Sequence, residues 1–140
     1  MPITDYPFML LGPGHPLRPV LPVRIINPLT NLSCRAWGII DTGADHCSIP
    51  AVFATRLGHN LAVGTAKTIG TAGGQATAFA HTTCIEIYSI GQTSRLIHTI
   101  PQAPVDFCPG LHVVLLGVEN FLSNFKLTID YPKQRFSIKY

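Results

Sequence analysis

The chain has 140 residues, 46% of them hydrophobic and only 12% charged, with 12 Gly and 12 Pro, enough for one domain with a real core and unlike a disordered chain or a helical bundle. Ten Lys and Arg against seven Asp and Glu leave a net charge of +3, and the cations stand singly, which argues against a nucleic-acid partner. The N-terminus lacks a basic segment followed by a sustained apolar run, and the longest apolar run, "VVLL" from Val113, is far too short to span a membrane, so a cytoplasmic chain with no membrane partner is expected.

Residues 1–22 hold six of the twelve prolines. The piece "LLGPGHPLRP" excludes a regular helix or a central strand. This predicts a proline-rich arm, linker or extended edge segment over 1–22, by default an irregular packed arm and alternatively a prosegment, ahead of a single domain over 23–140. In that domain, Val23–Ile26 and Ser33–Ile40 read as strands around the turn chemistry of "NPLTN". The second strand runs into "DTGADHC". Pro50 suits a first helical turn, Ala51 to Leu57 supplies helix formers, and Gly58 suits a stop.

From Thr65 the chain is strand-like again. "TIGTAGGQATAF" has a small-residue tip between two strands, and its Gly-Gly permits the positive φ of a tight hairpin. "TTCIEIYSI" and "SRLIHTI" read as a hairpin about Gly91-Gln92. "LHVVLLG" is a buried strand ending at Gly117, "VENFLSN" a short helix, and "FKLTIDY" with "RFSIKY" a closing hairpin. The expectation is a mainly β chain with two short helices.

Asp41 ends a strand and precedes Thr42-Gly43-Ala44. Gly43 admits close approach of another chain, and Thr42 offers a hydroxyl to brace the loop. Alone, this is equally the chemistry of an Asp that caps a turn. Two carboxylates sharing such a site behave differently. They cannot both ionise easily, so the pair holds one proton and supplies both an acid and a base.

The order "IIDTGAD", then "IGTAGGQA", then "VVLLG" resembles retroviral-type aspartic proteases, the retropepsins and their cellular and bacterial relatives. Those proteins have an Asp-Thr/Ser-Gly loop, a Gly-rich flap hairpin, and an apolar-apolar-Gly strand beside the active site. The resemblance extends over about residues 20 to 140. It implies a retropepsin-type acid protease fold with closed, folded β-sheets and an aspartic endopeptidase activity. Asp41 would be catalytic. Thr42, Gly43, Ala44 and Asp45 would form the active-site loop that meets the substrate backbone. Ile69, Gly70, Thr71, Ala72, Gly73 and Gly74 would form the flap. Val114, Leu115, Leu116 and Gly117 would supply the second-strand glycine and a pocket wall, with Val113 and Phe79 as further wall candidates.

Only one such loop is present, so the second carboxylate is expected from a C2 homodimer that brings Asp41 to its own copy. The partners implied are a second copy of the chain and an extended polypeptide substrate. No cofactor is expected. The four cysteines and six histidines are dispersed, so free thiols and no metal site are expected too. In several viral relatives, the acid at the position of Asp45 pairs with an arginine just after the second glycine. Here Val118-Glu119-Asn120 follows Gly117, leaving Arg35 or Arg56 as substitutes, or Asp45 as a plain turn residue. A rival to the enzyme is a module that keeps the fold and dimer but cleaves poorly.

Overall fold

The computed structural model describes residues 3–71, 73–91 and 93–140. Ten strands dominate: β1 (Ile3–Pro7), β2 (Val20–Ile26), β3 (Ser33–Ile40), β4 (Cys47–Pro50), β5 (Thr65–Thr71), β6 (Gly74–Tyr88), β7 (Leu96–Cys108), β8 (Val114–Leu116), β9 (Lys126–Asp130) and β10 (Arg135–Lys139). One short helix, α1 (Val52–Leu57), and 3-10 turns at Leu61–Val63 and Leu122–Asn124 complete the described elements. Among the described residues, no helix is long and apolar enough to cross a membrane.

Seven strands lie in the order β2-β3-β8-β4-β7-β6-β5, and β2 also pairs with β6. Six of them therefore close into a ring, and β5 hangs from β6 as an edge strand. Closure removes the free edges that an open sheet would present. Alternation on β2 sends Val23 and Ile25 inward, where they meet Ile85, Ile87, Val105 and Phe107. β4 is buried along its whole length because β7 and β8 flank it.

The expected hairpins form. β2 and β3 pair from Val20–Ile39 to Ile26–Ser33, and β9 with β10 from Asp130–Arg135 to Lys126–Lys139. β5 and β6 pair up to Thr71–Gly74. β6 and β7 pair out to Tyr88–Leu96, with Gln92 of the expected turn outside the described residues.

Three local readings are corrected. Pro50 is the last residue of β4, opposite Cys108, and the helix starts after Ala51. Pairing with β7 overrides the local preference of proline for a helix start. The expected helix over "VENFLSN" shrinks to the 3-10 turn Leu122–Asn124, because Val118 and Glu119 donate backwards to the Asp41 loop. Over residues 3–7 the irregular default for the arm gives way to its extended-edge alternative, with β1 at the end of the order β1-β10-β9. Residues 3–7 form β1 against β10, β2 begins at Val20, and Ile3 and Phe8 enter the core beside Phe136 and Ile138.

Candidate active site

β3 runs parallel to β8, with Gly38–Val114, Ile39–Leu115 and Ile40–Leu116 in register. The Asp41 N–H extends this pairing by donating to the Leu116 carbonyl at 3.0 Å. The chain then turns. The Ala44 N–H donates to the Asp41 carbonyl at 3.2 Å, and the Gly43 N–H donates to Asp41 Oδ1 at 3.0 Å. One carboxylate oxygen is thus held by the loop's own backbone. This is the local Asx chemistry of the capping alternative, and it leaves Oδ2 with no role inside the turn.

The turn after β8 is laced to this loop. The Val118 N–H donates to the Ala44 carbonyl at 2.9 Å and the Glu119 N–H to the Asp45 carbonyl at 2.7 Å. Gly117 lets the two segments pass. A Cβ there would overlap the His46 carbonyl oxygen and lie 2.8 Å from that of Ala44.

A cleft of about 590 Å³ opens over the loop. Of the expected site residues it brings together Asp41, Gly43, Ala44, Ile69, Gly70 and Leu115. Asp41 is the one charged residue lining it among the described residues. Thr42 and Asp45 are exposed beside it. Of the expected flap residues, Gly73 and Gly74 stand at the tip of the β5–β6 hairpin, where Gly74 has φ 117°; Thr71 is described only by its backbone, and Ala72 lies outside the described residues.

The expected pocket wall on β8 is reduced to Leu115. Val114 and Leu116 are 2% and 0% exposed and belong to the core, because alternate residues of a strand face opposite ways. Phe79 also packs on the core. Gly117 acts behind the loop, and Val113 lines a different groove.

Ser48, Ala76, Cys108, Pro109, Gly110 and Leu111 also line the cleft. The sequence reading missed these residues. Pro109-Gly110 is a turn signal, yet nothing local says that the turn faces Asp41. Burial pushes the Cys108 thiol up, partly opposed by a hydrogen bond from Ser48, so it stays a neutral wall residue. Cys47 is buried behind the loop, accepts from the Gly117 N–H at 3.4 Å, and is pushed up to about 12 by burial.

The arginines proposed as substitutes for the missing partner of Asp45 are engaged elsewhere. Arg35 lies 5.4 Å from the Tyr88 ring centre and Arg56 5.6 Å from that of Phe53. The link between loop and turn is made one residue later, where His46 Nε2 meets Glu119 Oε2 at 2.7 Å.

A family model described as "Aspartyl protease" matches residues 23–119. Among solved structures, a retropepsin-like aspartic protease from Rickettsia conorii is similar at TM-score 0.57 and 22% identity, with 87% of this chain and 92% of that one covered. EIAV protease complexed with the inhibitor HBY-793 is similar at TM-score 0.45 and 22% identity, covering 78% of this chain and 88% of that one. No curated protein matches the sequence.

Proposed function

We propose, since this chain belongs to the aspartyl protease family, that it is an endopeptidase working as a twofold homodimer with one Asp41 from each copy. The observation that carries this reading is the position of Asp41. Its carboxylate is, among the described residues, the single charge lining a cleft closed on one side by the flap strand. One carboxylate cannot act as acid and base in the same step, and a C2 axis supplies the second from the same residue. The exposure of Thr42 and Gly43 suits a loop that meets its own copy.

That two such aspartates share one proton is the established behaviour of aspartic proteases, not an inference from this chain. In the proposed reaction a water lies between the two carboxyl groups. The ionised Asp41 takes a proton from it as the water oxygen bonds to the peptide carbonyl carbon. The protonated copy gives its proton to the carbonyl oxygen, producing a neutral diol. On collapse the C–N bond breaks, the nitrogen takes a proton from one carboxyl group, and a diol O–H returns a proton to the pair. One water is consumed, and the pair again holds one proton.

The substrate would lie extended, pairing its backbone with the flap and cleft edges as in strand addition. Ile69, Gly70 and Leu115 would border its side chains, with Leu111 as a further wall. Asp45 would meet its backbone.

The test is cleavage of an unfolded protein by the purified chain and by Asp41→Asn, with the oligomeric state measured alongside. Asp41-dependent cleavage by a dimer is expected. Equal cleavage by both proteins sinks the reading. Dimers of both without cleavage favour a binding module instead.

A further inference from the structure

Behind the Asp41 loop, four side chains from four segments converge. His46 comes from the loop, Lys67 from β5, Asp106 from β7, and Glu119 from the turn after β8. Lys67 Nζ lies 2.8 Å from Asp106 Oδ1 and 3.1 Å from His46 Nδ1. An ammonium only donates, so Nδ1 is the acceptor and the ring proton sits on Nε2. Nε2 then donates to Glu119 Oε2 at 2.7 Å. Asp106 Oδ1 and Oδ2 each lie 3.5 Å from Nδ1, farther from it than Lys67 Nζ.

The ring therefore ties the flap strand to the turn that carries Gly117, through the loop that carries Asp41. β5 is an edge strand whose one strand partner among the described elements is β6. Ile69, two residues after Lys67, lies on the same face of β5, and it lines the cleft with Gly70. The height of the flap strand over Asp41 thus depends on how the Lys67 end is held.

We propose that His46 is a positioning residue that sets the flap over the catalytic loop by holding Lys67. The proposal rests on the protease reading above. No bond to substrate is involved, so the tether acts on substrate capture more than on the chemical step.

The test uses His46→Ala, His46→Asn and His46→Gln. Asn places an amide oxygen near the position of Nδ1 and so keeps an acceptor for Lys67. Gln reaches toward Glu119 and does not. Steady-state kinetics of each variant on one peptide are measured at one pH. Amide hydrogen exchange of β5 is measured for each variant in an Asp41→Asn background. In His46→Ala and His46→Gln, KM is expected to rise about fivefold, the worth of one net hydrogen bond, with kcat little changed. β5 exchange should quicken in both. His46→Asn should stay near wild type.

Wild-type KM and β5 exchange in both His46→Ala and His46→Gln overturn the proposal. So does equal behaviour of Asn and Gln, a comparison that stands even if the alanine variant does not fold. If wild type shows no Asp41-dependent cleavage but exchange follows the pattern above, the tether survives and the protease reading falls.

Discussion

The Asp41 N–H donates to the Leu116 carbonyl at 3.0 Å across a separation of 75 residues. This bond continues the β3–β8 register by one residue, so the rigid ring of strands reaches the base of the acid loop. Asp41 is placed by two strands rather than by a free turn, as an acid held for chemistry requires.

Asp41→Asn keeps an oxygen that can accept from the Gly43 N–H, so fold and melting temperature should change little. If Asp41 is acid and base, cleavage should fall by at least about 100-fold. Assays beside a thermal melt check this, and retained activity with an intact fold would assign the chemistry elsewhere.

Gly117→Ala should destabilise the loop, because its Cβ would meet the His46 and Ala44 carbonyl oxygens, which are backbone and do not swing aside. Overpacking of this kind costs about 1–3 kcal/mol. Denaturant unfolding reads the loss, and an unshifted midpoint would mean that the two segments separate freely.

Lys67→Met should strand the Asp106 carboxylate, whose side chain is 7% exposed. The expected cost is about 2–4 kcal/mol, below the range for a fully buried pair because Lys67 is 33% exposed. Lys67→Met combined with Asp106→Leu should recover much of it. A double variant no more stable than Lys67→Met would show that the carboxylate is not the source of the loss.

Acid should weaken the fold through His59 and His81. Their rings pack 5.2 Å apart beside Phe107, and His81 Nε2 is buried with no hydrogen-bond partner among the described residues. Burial lowers both pKa values from 6.5, and for His59 the charge of His81 adds to this. The unfolded chain therefore binds more protons, and stability rises with pH in this range. The contribution is intact above about 6.5 and is lost as pH falls through the folded values. His81→Leu should flatten the dependence. Urea midpoints at pH 5 and pH 7.5 for both proteins decide it, and parallel losses would clear His81.

Removing residues 1–8 should expose Phe136 and Ile138 and delete Ile3 and Phe8 from the core. Burial of two such side chains is worth about 3–6 kcal/mol at most. A removable prosegment predicts the opposite, a truncated chain as stable as the whole. Calorimetry of the two forms separates these outcomes.

Strand positions, the Gly-rich β5–β6 hairpin and the turn after Asp41 were readable because each depends on neighbours in the chain: β-branched residues, turn formers and their period. The single "DTGA", the Gly-rich hairpin after it and "VVLLG" together made Asp41 the candidate acid, through their resemblance to the retropepsins. The rest depends on contacts between distant residues. Which β8 residue faces the cleft is a matter of register, and one step separates Leu115 at the wall from Leu116 in the core. The pairing of β1 with β10 overrides the signal of the prolines, since buried Ile3 and Phe8 outweigh local turn chemistry. His46 sits among neighbours that offer it no role, and its partners Lys67, Asp106 and Glu119 lie 21, 60 and 73 residues away. Hydrogen bonds of that reach form only once the ring of strands has closed, so no local pattern announces them.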